Sequence, residues 1–144
     1  MSSSITSSRV DGWDRAVEEV ATRHLAIAPK WGVSDCLMTV GDAIAAVTGA
    51  DPFQAFRGRY RTEAGAAKKM RQNGCANVRD VFEIFLGLEP VNRLSARRGD
   101  VGVVTINGEY VAGFVCGSGF AIKQPHGLSF LPVTDIEQAY KVGA

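Results

Sequence analysis

Cys36 is the residue in this chain best placed to do chemistry. It closes the stretch WGVSDC and opens an apolar, small-residue run, CLMTVGDAIAAVT. Ser34 suits a helix N-cap, and Asp35 suits the positive end of a first turn. A thiol at that end faces backbone N–H groups without helical partners, which stabilise a thiolate and lower its pKa. That is the setting of a nucleophile, and a nucleophile needs a base. The chain holds two histidines, His24 and His126. His24 falls on an apolar stripe just upstream of Cys36. It reads as a core histidine with a satisfied nitrogen, or as a catalytic or switching group. His126 lies in the turn QPHG and reads as an exposed turn residue; as a base it requires that turn to fold back over the cysteine helix. Cys36 also has a plainer reading, because a free cysteine is a small apolar core filler.

The elements that must position these groups follow from periodicity. Asp11–Ala26 carries Trp13, Val17, Val20 and His24 on one stripe, which predicts a first helix. Ala28-Pro29 breaks it. The cysteine helix then runs to Gly49, a natural C′ residue. Its Cys36, Val40, Ala43 and Val47 share one face, and Gly41, Ala43, Ala45 and Ala46 allow close packing. Phe53 and Phe56 can turn inward from DPFQAF. Thr62 caps a third helix that Asn73-Gly74 ends, and Asn77 caps a fourth. Residues 88–97 read as a connector. From Arg98 the pattern becomes strand-like: Asp100–Ile106, the hairpin turn Asn107-Gly108, Glu109–Cys116, Phe120–Lys123 and Leu128–Val133. DIEQAYKV reads as a last helical turn. Helices followed by an antiparallel β-meander make an α+β fold.

Composition bounds the functions. The 144 residues suit one domain, 11–144, behind a Ser-rich arm at residues 1–10. A net charge of +1 argues against a general nucleic-acid binder. No apolar run is long enough for a membrane span, and no secretory leader is expected. Cys36, Cys75 and Cys116 are too few, and odd in number, for a disulfide framework. No Cys/His spacing fits a metal, and no cofactor is expected. Arg57, Arg59 and Arg61 surround Tyr60 in a basic cluster, either a solvated loop or a contact surface for an anionic or protein neighbour.

A cysteine opening a small-residue helix, followed by Gly-Asp opening a strand meander, resembles the NlpC-type cell-wall cysteine peptidases. More closely, WGVSDC, TGADP, RGRYRTEAGA, RRGDV and GLSFLPV resemble short phage and prophage proteins related to that fold. The resemblance implies a papain-like fold, with the N-terminal helices packed on the meander. It implies synthesis in the bacterial cytoplasm and a place in the tail of a phage, prophage or gene-transfer particle. The implied partners are other tail proteins, hub or distal components, with peptidoglycan as a further contact.

In those enzymes the cysteine is the nucleophile, a histidine opening the second meander strand is the base, and a polar residue on the next strand orients it. Carried over by position, Cys36 matches the nucleophile. The histidine falls at Val111, or at Tyr110 with a slip of one, and neither is histidine. The third position falls at Lys123, beside Gln124. Base function then rests on His126 or His24. Three functions follow as expectations: a weakly active or structural tail-tip component, an active peptidoglycan endopeptidase or amidase, and a tail assembly chaperone. In the structural role the arm, the Arg57–Arg61 cluster and an exposed strand edge serve as contact surfaces.

Overall fold

The computed structural model describes residues 8–143. Among them the chain forms α1 (Trp13–Leu25), α2 (Cys36–Thr48), α3 (Glu63–Gln72) and a short α4 (Val78–Asp80) that widens into a π turn at Val81–Phe85. Six strands follow: β1 (Glu89–Val91), β2 (Val101–Ile106), β3 (Glu109–Cys116), β4 (Gly119–Gln124), β5 (Gly127–Leu131) and β6 (Gln138–Lys141). They make one antiparallel sheet in the order β1-β6-β2-β3-β4-β5. The fold is α+β.

Local signals set most boundaries. Thr62 and Asn77 cap α3 and α4 by accepting from Gly65 N and Asp80 N. Gly49 ends α2 at φ 80°. Asn107 and Gly108, at φ 52° and 79°, form the two-residue turn between β2 and β3. The expected cap of α2 moves by one residue: Asp35, not Ser34, accepts from Leu37 N and Met38 N. The last segment is also corrected. DIEQAYKV is not a helical turn, because Gln138–Lys141 is strand β6, seated between β1 and β2. The connector at 88–97 contains β1, whose Pro90 is tolerated at a sheet edge.

The helices cover one face of the sheet. Side chains alternate along each strand, so Tyr110, Ala112, Phe114 and Cys116 of β3 face the helices and the main core. Val111 and Val115 face the other side, in a smaller cluster with Val104, Phe120, Ile122 and Ile136. The small side of α2 admits an aromatic: a Cβ on Gly41 would lie 2.7 Å from Phe53. Phe53, Phe56 and Phe85 then cluster with ring centroids 5.3–6.3 Å apart, Phe53 stacked on Phe85 and Phe56 tilted against both. The π turn, closed by Leu86 N donating to Val81 O at 2.9 Å, helps present Phe85 to them.

Of the arm assigned to residues 1–10, residues 1–7 lie outside the described residues. Arg9 and Val10 belong to the domain. Val10 N donates to Val47 O at 2.9 Å. The Arg9 side chain is covered, bonded to Asp100 Oδ1 at 2.9 Å and to the Val142 carbonyl at 3.1 Å, and its guanidinium lies 4.2 Å from the Trp13 ring centre.

Candidate functional site

The loop ahead of α2 is folded around one carboxylate. Lys30 and Ser34 exchange backbone hydrogen bonds at 2.9 and 2.8 Å, which pinches Trp31-Gly32-Val33 into a tight turn. Asp35 Oδ1 accepts from Leu37 N at 3.0 Å and Met38 N at 2.9 Å. Its Oδ2 accepts from Gly32 N and from the Tyr60 hydroxyl, both at 2.8 Å. The carboxylate is buried with four donors, and Cys36 follows it as the first residue of α2.

Cys36 is partly buried and packs against the core. The backbone amides of Ala112, Cys36 and Leu37 face its sulfur and favour a thiolate, but burial and the adjacent Asp35 charge outweigh them. The thiol is pushed up to about 11. This reverses the expected lowering at a helix end: the residue that caps the helix brings a negative charge beside the sulfur. Near neutral pH the group is a thiol.

Neither histidine makes a hydrogen bond to Cys36. His24 is buried, with Nδ1 2.7 Å from Ser34 Oγ and Nε2 2.7 Å from Asp42 Oδ2. The Nε2–H donates to the Asp42 carboxylate, and Nδ1 lies within hydrogen-bond distance of the Ser34 hydroxyl. His126 is exposed in the β4–β5 turn, its Nε2 3.2 Å from Ser129 Oγ. Lys123 does not orient an imidazole. Its ammonium caps the end of α1, donating to the carbonyls of His24 at 2.7 Å and Ile27 at 2.5 Å, and burial lowers its pKa. Val111 lies on the sheet face turned away from α2; the strand presents Ala112 and Tyr110 to the helix side instead. A one-residue slip on a strand changes the face.

The Arg57–Arg61 cluster divides. Tyr60 is buried against Asp35. Arg57 turns inward to Asp42 at 2.7 Å and Asp51 at 3.0 Å. Arg59 and Arg61 are exposed. Sequence reasoning missed Asp42, the hub that ties His24, Arg57 and Arg23 together. Its signal was present: it is the one charged residue inside the apolar run of α2.

Residues 8–142 match the family described as a domain of unknown function (DUF6950). The chain belongs to that family. No curated protein and no solved structure matches it. The DUF6950 match contains the whole cysteine corner. Its ends also meet in space, because Arg9 donates to the carbonyl of Val142. Among the described residues no helix is long and apolar enough to cross a membrane, and no group of His, Cys, Asp or Glu side chains is arranged to hold a metal ion.

Proposed function

We propose that this chain is a catalytically silent relative of the NlpC-type papain-like peptidases, serving as a structural component in the tail tip of a phage, prophage or gene-transfer particle. The observation that carries the reading is the pairing of Cys36 with Ala112. A cysteine at the head of a helix faces a strand of an antiparallel sheet, as a papain-like nucleophile would. The residue across from it is an alanine, and both imidazoles are bonded elsewhere. General-base help is worth about 10²–10⁴-fold in rate, and a protonated thiol without it is a poor nucleophile.

Two measurements test the two halves of the proposal. Purified protein and its Cys36→Ala variant are incubated with peptidoglycan, and soluble muropeptides are measured. The expected result is no release from either; release that disappears in the variant would restore the endopeptidase reading. Quantitative mass spectrometry of purified particles should find the protein at fixed copy number. Its presence during assembly and absence from mature particles would instead make it a chaperone.

A further inference from the structure

The cations of this molecule are distributed unevenly with respect to their partners. Arg9, Arg23, Arg57, Arg79 and Arg98 each lie against a carboxylate. Arg59, Arg61, Lys68, Lys69 and Arg71 make no ion pair among the described residues, yet they fall within thirteen residues of sequence whose only acid is Glu63. Glu63 occupies the first turn of α3, where it suits the positive helix end. No residue of α3 is fully buried. The helix rests on the core through Ala66 and Met70 and turns Ala64, Lys68 and Arg71 outward.

We infer that Arg59, Arg61, Lys68, Lys69 and Arg71 form a docking surface for an acidic segment of a partner protein. Lys68 and Arg71 are three apart on one helix face, a spacing of about 5–6 Å. Carboxylates one helical turn apart on a partner helix meet that spacing. Arg59, Arg61 and Arg71 add planar guanidinium forks that take carboxylates in bidentate fashion. Residues 59–71 expose no large apolar side chain, so the contact they make is electrostatically steered and polar.

A nucleic acid fits less well. Tyr60 is the only aromatic in residues 59–71, and it is buried with its hydroxyl on Asp35, so this segment itself presents no ring for base stacking. The patch carries more positive charge than the +1 of the whole chain. The remaining surface is therefore net negative and repels a long polyanion that runs beyond α3, which is only about 15 Å long.

The inference does not depend on the tail reading. Its test uses the full chain and a fluorescein-labelled helical peptide of repeated Glu-Ala-Ala-Glu, with a single-stranded DNA oligonucleotide of equal charge as the competitor class. The peptide should bind at low salt and weaken about tenfold on raising salt to physiological strength. Binding should be lost in the triple variant Arg59→Gln/Lys68→Gln/Arg71→Gln. It should persist in Arg15→Gln/Lys30→Gln/Lys141→Gln, which removes the same charge from exposed positions elsewhere. All six positions are exposed, and an unchanged thermal melt confirms folding. Failure to bind, or equal loss in both triple variants, overturns the docking surface. Tighter binding of the oligonucleotide overturns the assignment of the partner as protein.

Discussion

His24 on α1 and Asp42 on α2 are joined by a 2.7 Å hydrogen bond, and the same carboxylate takes Arg57 at 2.7 Å and Arg23 at 3.3 Å. With Ser34 on the far side of the ring at 2.7 Å, this chain of polar groups fixes the α1–α2 pair from which the cysteine loop hangs. Burial alone would raise the Asp42 pKa. The His24 hydrogen bond, the Arg57 charge and the Arg23 contact outweigh it and hold the value below the ordinary carboxylate range.

That direction gives a pH-dependent stability. A lowered folded pKa stabilises above the unfolded value of about 3.9 and is lost as pH falls through the folded value. Asp42→Asn should cost about 2–3 kcal/mol at pH 7 by urea unfolding, since it leaves His24 and Arg57 without their anion. The gap between wild type and variant should close below about pH 4. A gap that stays constant into strong acid would show that the charge of Asp42 contributes nothing.

The cysteine should be sluggish. With a thiol near 11, the thiolate fraction at pH 7 is on the order of 10⁻⁴. In a Cys75→Ala/Cys116→Ala background, alkylation of Cys36 should climb with pH toward a midpoint near 11. Asp35→Asn keeps a good N-cap but removes the neighbouring charge, so its midpoint should fall. A midpoint below that of a free cysteine in the parent protein would mean an activated nucleophile, and the silent reading would be abandoned.

The loop geometry rests on Gly32. Its φ is +80°, and a Cβ there would sit 2.6 Å from the Tyr60 carbonyl oxygen. Gly32→Ala should cost more than the about 1–3 kcal/mol of backbone strain, because the chain carrying Tyr60 must also move. Gly58, at φ +69°, has open space around the same virtual atom, so Gly58→Ala reports strain alone. Equal losses in the two variants, measured by thermal melts, would remove the clash from this account.

Arg9 and Asp100 form a buried pair whose side chains are 4% and 3% exposed. Asp100 also accepts from Val142 N at 3.0 Å and Arg97 N at 3.0 Å. Arg9→Met or Asp100→Asn alone should cost about 3–5 kcal/mol, since each strands a buried partner. The double variant should lose much less than the sum of the two. Additive losses in urea unfolding would show that the residues act separately.

The legible parts of this chain were those decided within a few residues. Thr62, Asn77, Gly49 and the Asn107-Gly108 turn act through neighbours in sequence, and each sits where its local chemistry places it. β6 was misread because Ile136 and Tyr140 stand four apart, a helical spacing. Its real partners, Pro90 and Val101, lie far away in sequence. The site divides the same way. A cysteine opening α2 was readable; its raised pKa was not, because the cap shifted by one residue and burial comes from packing. The buried state of Tyr60 depends on Asp35, and the inward turn of Arg57 on Asp42. Neither contact leaves a local mark in the cluster that contains them.

The order of the sheet sets a kinetic constraint. β6 is the last strand in the chain but lies between β1 and β2. As the chain is made from its N-terminal end, β1 has no neighbour to pair with until β6 emerges, and β2 keeps one edge open. Loop closure must be completed before those ladders return any stabilisation, a pattern that slows folding. The nascent domain therefore carries an open strand edge from the completion of β2 at Ile106 until β6 is made at Gln138–Lys141, a natural place for a chaperone to bind or for two unfinished chains to pair wrongly.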